Sequence, residues 1–119
     1  MADEGSVAER LEKAVQLRIS GDYDQAEAIF KSVIVEQPGN ADAHHELGLV
    51  YSFRAAMDES LQHLLRAVQL VPTSTLYMND LGKTFAMFGE DDKAKMAFNH
   101  VLKLDPFNEE ATKQLDYLG

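Results

Sequence analysis

Residues Ala41–Ser74 read ADAHHELGLVYSFRAAMDESLQHLLRAVQLVPTS, and the sequence on either side repeats this stretch in register. Its reference mark is Pro72, with Pro38 and Pro106 each 34 residues away (72 − 38 = 106 − 72 = 34), and these are all the prolines in the chain. A fixed period of about 20–50 residues marks a stacked repeat protein, and one near 34 marks a pair of helices per unit. The expected product is a surface that holds another chain.

Outward from that stretch the same grammar recurs. Val7, Leu11, Ala14 and Val15 stand at helical spacing in Val7–Ser20, and Gly21 ends that helix because glycine takes a left-handed C-cap without steric cost. Asp24 opens a second helix that runs to about Gln37, with Ala26, Ile29, Phe30, Val33 and Ile34 as its apolar face. Pro38-Gly39 stops it, and Asn40 is placed to cap the next. Ser74 and Asn108 occupy Asn40's place in later repeats, and Asp58 and Asp92 occupy Asp24's, where a carboxylate suits the positive end of a helix dipole. Leu64 and Phe98 stand for Phe30, and Ala67 and Val101 for Val33. The register predicts further helices near 41–54, 58–71, 75–88 and 92–105, then a short one over Glu109–Leu118. The fold class is all-α, built of antiparallel helix pairs, with residues 1–6 a flexible N-terminus.

These residues carry a family resemblance. His44-x-x-Leu47-Gly48-x-x-Tyr51, then Ser60-x-x-x-Leu64, Ala67 and Pro72, resembles a tetratricopeptide repeat (TPR). Met78-x-x-Leu81-Gly82-x-x-Phe85, then Ala94-x-x-x-Phe98 and Pro106, resembles it more closely. The first copy keeps Ala14, Leu17, Ala26, Phe30 and Pro38 but has Arg10 and Lys13 for the family's aromatic and leucine. The resemblance implies a right-handed superhelical solenoid of seven helices. Its repeats would be 7–40, 41–74 and 75–108, with 109–119 a capping helix.

Gly48 and Gly82 would let paired helices approach closely. Glu9, Arg10, Lys13 and Gln16 read as an outward polar face on a first helix with no neighbour before it, with Leu115 and Leu118 covering the last pair. Ala55 stands where other copies have Gly21 and Gly89, so the middle turn is either mildly strained or differently shaped.

Composition sets outer bounds. The 119 residues make one domain of ordinary apolar content, 45%. A net charge of −9, from 20 acids against 11 bases, argues against nucleic acid, whose phosphates must be neutralised by Lys and Arg, and against an anionic membrane surface. Without cysteine there is no disulfide, thiolate nucleophile or Cys-based zinc site. No apolar run is long enough to insert in a membrane, and no basic-then-apolar leader follows Met1. The default expectation is a cytoplasmic protein.

The resemblance also implies where function sits, since proteins of this family hold peptides against the wall formed by the first helix of each pair. In this register the middle repeat turns Asp42, His45, Glu46, Leu49, Ser52 and Phe53 to that wall. The third turns Leu76, Asn79, Asp80, Lys83, Ala86 and Met87, and the last helix adds Glu110, Lys113, Gln114 and Tyr117. Leu49, Phe53, Leu76 and Met87 form an apolar set that either anchors a ligand or is partly taken up as core. Leu11 and Val15, at matching positions in the first repeat, read as core.

Glu12, Glu46 and Asp80 form an acidic ladder at 34-residue intervals (46 − 12 = 80 − 46 = 34), where many family members carry ligand-binding asparagines. Carboxylates accept hydrogen bonds without donating them, so the ladder reads either as selecting Lys or Arg or as a solvated face. Chaperone-binding members clamp a C-terminal carboxylate with Lys, Asn and Arg along this wall. The equivalent places here hold Leu11, Val15, Glu46, Leu76 and Asp80.

Catalysis finds no constellation. His44, His45, His63 and His100 include no i, i+4 metal pair, and His44 replaces a packing aromatic. No cofactor is expected. The reading is a non-catalytic module that binds a protein or peptide in a concave groove, the ligand being apolar with basic residues. The alternatives are a self-associating scaffold unit, which would form homo-oligomers, and a regulatory or targeting fragment of a larger enzyme.

Overall fold

The computed structural model describes residues 5–119. Among them lie seven α-helices in sequential antiparallel pairs: α1 (Val7–Ile19), α2 (Tyr23–Glu36), α3 (Ala41–Phe53), α4 (Met57–Leu70), α5 (Thr75–Met87), α6 (Asp91–Leu104) and α7 (Glu109–Leu118). Side-chain caps start most of them. Asn40, Ser74 and Asn108 each accept from the backbone N–H three residues on, satisfying a donor the helix cannot. Each second helix begins one residue ahead of its expected Asp, so Asp24, Asp58 and Asp92 sit within the first turn.

The chain divides into two compact units, one ending at Leu70 and the other running Val71–Gly119. In the first, Ala14, Ala26, Ile29, Phe30, Leu47 and Val50 form the core, with half-buried Leu11, Val15, Leu17 and Tyr51 packed on it. In the second, Ala94, Phe98, Val101 and Ala111 do so, and Leu115 and Leu118 of α7 close over them. Phe30 and Phe98 are fully buried, each stabilising its unit by roughly 1.5–3 kcal/mol.

Both units use one device for close packing. A Cβ on Gly48 would lie 2.7 Å from Leu64 Cγ, and one on Gly82 would lie 2.8 Å from the Phe98 ring. Ser60 Oγ also donates to the Gly48 carbonyl at 2.8 Å in a buried bond that ties α4 to α3. On α2, Glu27 accepts from Tyr51 Oη at 2.9 Å and from Arg54 at 3.1 Å, and it pairs with Lys31 at 2.7 Å. The Lys31 hydrogen bond first, then that of Tyr51, holds the Glu27 carboxyl below its usual range against the opposing effect of burial.

Two expectations are corrected, and the choice left open at Ala55 is decided for strain. Ser6 belongs to the fold rather than to a flexible terminus: with Glu9 it makes a reciprocal capping box on α1. The rest of the expected N-terminal segment, residues 1–4, lies outside the described residues. Arg10 does not face outward. It is 6% exposed and fills the aromatic's place, its guanidinium reaching Ser32 Oγ at 3.2 Å and pairing with Glu36. The turn at Ala55 keeps the shape of the others, with φ +59° beside +88° at Gly21 and +80° at Gly89. Alanine therefore bears the left-handed strain that glycine avoids.

Candidate functional site

Within the first unit, α1 and α3 flank a 340 Å³ cleft lined by Leu11, Glu12, Val15, Gln16, Asp42 and Glu46. Leu11 and Val15 thus pack on the core and floor the cleft. Arg18 Nε donates to Glu46 at 2.6 Å, both side chains mostly buried, so this rung of the acidic ladder already has a cation. Glu12 and Asp42 are exposed. Leu49 is half-buried, whereas Phe53 is 53% exposed and rests on Tyr23 with ring centres 5.9 Å apart.

His45 is not on the open face. It is 4% exposed, with Nδ1 3.9 Å from Glu46. Ser52 is buried too, its hydroxyl donating to the Leu49 carbonyl at 2.8 Å.

Within the second unit, Leu76 and Met87 of α5 are 58% and 54% exposed. Lys83 lies 3.4 Å from Asp80 and 3.1 Å from Glu110, joining α5 to α7. Partial burial pulls the Lys83 ammonium down, but the Glu110 hydrogen bond and the Asp80 charge outweigh it and raise the group above its usual value. Lys113 is exposed, and Gln114 is half-buried, donating to Glu110 at 3.5 Å. Tyr117 stands 79% exposed.

Asn79 departs from expectation as His45 does. It is 6% exposed, and its amide donates to Asn108 Oδ1 at 3.1 Å, the atom that also caps Ala111 N at 2.9 Å. The amide is spent on holding a helix start.

Over 94% of the chain, these helices superpose on the first TPR domain of Spaghetti (RPAP3), solved with an HSP90 peptide SRMEEVD, with a TM-score of 0.86. The chain has the tetratricopeptide-repeat fold. Identity to that domain is 22%, and the match covers 89% of it. The O-GlcNAc transferase of Thermobaculum terrenum, in a mutant form, matches 94% of the chain with a TM-score of 0.86 and 27% identity, over 22% of its own length. Among curated sequences, the Arabidopsis thaliana CTR9 homolog is 36% identical over 100 residues, which is 83% of this chain and 9% of that protein. This TPR domain therefore spans about a tenth of that relative's length. No family model matches the sequence.

The fold also assembles features that the sequence reading missed. Nothing in the spacing of His44 and His63 paired them, yet their Nδ1 atoms lie 3.0 Å apart and the rings stack at 5.3 Å. His44 Nε2 is 2.9 Å from the Pro38 carbonyl, so it donates there, and its Nδ1 accepts from His63. Burial first, then the charges of His44 and Lys31, lowers the His63 pKa. Beside this pair runs a 540 Å³ groove lined by Ile34, Pro38, His44, His63, Leu65 and Arg66 among others.

The third repeat carries the corresponding groove, 550 Å³, between α5 and α6. Among the described residues no three His, Cys, Asp or Glu groups are placed to hold a metal, and no helix is long and apolar enough to cross a membrane.

Proposed function

We propose that this TPR domain is a non-catalytic interaction module that takes an apolar, Lys- or Arg-bearing peptide or helix on the first-helix faces of its repeats. The observation that carries the reading is the exposure of Phe53, Leu76 and Met87 on α3 and α5, each more than half open to solvent. Large apolar side chains held so are ready anchors. Beside Leu11 and Val15, the exposed carboxylates of Glu12 and Asp42 favour a cation over an acid. Glu46 contributes less, since Arg18 already neutralises it, and Asp80 is likewise met by Lys83.

The Spaghetti domain was solved with SRMEEVD, an acid-tailed peptide. Here Leu11, Val15, Glu46, Leu76 and Asp80 hold the places where chaperone-binding members present Lys, Asn and Arg. A ligand with an acidic tail is disfavoured on this face.

The test is a polarisation titration with two labelled peptides, SRMEEVD and a counterpart with lysines in place of its acids. The lysine peptide should bind more tightly, with an affinity that falls as salt rises. Glu12→Lys/Asp42→Lys should narrow the difference, and Phe53→Ala/Met87→Ala should weaken binding by tenfold or more. Preference for SRMEEVD, or indifference to both double variants, would sink the proposal. Concentration-dependent mass without peptide would favour the scaffold alternative.

A further inference from the structure

The groove of the third repeat is lined by none of the residues assigned above to the binding face, and it has the opposite charge. Met78, Leu81 and Phe85 of α5 make its floor, with Met96 and Ala97 of α6 on the other side. Met96 is 71% exposed, a flexible thioether standing over an apolar trough. Such a surface re-packs around whatever apolar anchor enters it.

Its rim is basic. Lys93 and Lys103 both line the groove, and neither is ion-paired among the described residues. Lys93 sits instead over the Phe85 ring, 5.9 Å from its centre. In a chain of net charge −9 this rim is a local reversal; the second repeat has Glu59 and Gln69 at the matching positions, and its groove is lined by one cation, Arg66, where the third has two lysines.

The spacing of the lysines separates two classes of ligand. They stand ten residues apart on one helix (103 − 93 = 10), about 15 Å along its axis at the α-helical rise. One carboxylate on a small molecule cannot meet both. An extended or helical segment of about that length can, while it lays apolar anchors between them. We propose that the α5/α6 groove docks an acidic amphipathic segment of a partner protein, with apolar anchors over Met78, Phe85 and Met96 and carboxylates on Lys93 and Lys103.

The full chain would be titrated with a synthetic helical peptide bearing leucines at i, i+3, i+4 and i+7 flanked by glutamates. The same peptide with lysines for glutamates, and dodecanoate, would run in parallel. Affinity and methionine methyl NMR shifts are the readouts. The glutamate peptide should shift the Met78 and Met96 methyls and bind at least tenfold tighter than the lysine peptide. Lys93→Glu/Lys103→Glu, both exposed and foldable, should invert that order. Met96→Glu should weaken the glutamate peptide by about tenfold.

Equal binding of the two peptides, no binding of either, or unmoved methionine methyls would overturn the proposal. Full displacement of the peptide by dodecanoate would assign the groove to a small carboxylate ligand instead. A dimer abolished by the double charge reversal would assign it to a second copy of this chain.

Discussion

The second and third repeats have the same groove, of nearly the same size, with different side chains in its walls. The volumes are 540 and 550 Å³, and His44, Gln62 and His63 in one match Met78, Met96 and Ala97 in the other. His63 stacks on Tyr51 with ring centres 5.8 Å apart, and Tyr51 does not line the second groove. Opposite Ala97 no such ring intervenes, and Phe85 stays open to the third groove. A helix pair thus keeps its backbone frame through the close contacts at Gly48 and Gly82, while a few outward residues decide whether the aromatic ring beneath the trough is covered or bare. Frame and surface chemistry are set by different residues.

The frame can be attacked first. Gly48→Ala would press a methyl against Leu64, including its backbone N at 3.2 Å, which cannot rotate away, and Gly82→Ala would press one against the buried Phe98 ring. Overpacking of this kind costs about 1–3 kcal/mol, against at most about 1 kcal/mol gained in helix propensity. Each variant should therefore lose about 1–2 kcal/mol in urea denaturation. If either were neutral, the two repeats would not share one packing device.

Next comes His63, the ring stacked on Tyr51. His63→Ala should make the second groove resemble the third and cost about 1–3 kcal/mol, because the buried His44 Nδ1 loses its partner. His63→Asn, which can still donate, should recover part of the loss. A neutral His63→Ala would show that the histidine stack only decorates the surface.

The turns sharpen the comparison from another side. Ala55 holds φ +59° where the third repeat has Gly89 at +80°. Relief of the left-handed strain at roughly 1–2 kcal/mol, offset by the added freedom of glycine when unfolded, should make Ala55→Gly more stable by about 0.5–1 kcal/mol. Gly89→Ala should lose a comparable amount. Thermal midpoints of the two variants would show the opposite signs.

The smallest expected effect is on pH dependence. The folded His63 pKa lies below the ordinary histidine value of about 6.5, so the folded chain binds fewer protons than the unfolded one just below that pH. Stability from this group is complete above about pH 6.5 and is lost as pH falls from there through the lowered value. Denaturation midpoints between pH 7 and 5 should decline more in the wild type than in His63→Asn, and parallel slopes would exclude the histidine as the cause.

Much of the frame was legible because its signals are local. Pro38, Pro72 and Pro106 end helices by their own geometry, and Asn40, Ser74 and Asn108 cap by reaching three residues ahead. A fixed period multiplied these signals until they agreed. The site was less legible, since the helical stripe does not say how deeply each position sits. His45 and Asn79 share the stripe with Leu49 and Leu76 yet are buried, and Arg10 lies beneath its neighbours rather than on the end face. His44 and His63 come from different helices, 19 residues apart (63 − 44 = 19), and only packing brings their rings together. The third groove needed the contrast of Ala97 with His63, whose meaning depends on the ring that each leaves covered or bare.

The double acceptance at Asn108 Oδ1 gives the second unit a built-in gauge. One oxygen holds both the Asn79 amide of α5 and the Ala111 N–H at the start of α7. Any event that draws α5 aside, whether a ligand on its exposed face or thermal opening, slackens the grip on the first turn of the next helix. Hydrogen exchange at the Ala111 amide would then quicken before the unit as a whole unfolds, which makes this single proton a sentinel for the posture of α5.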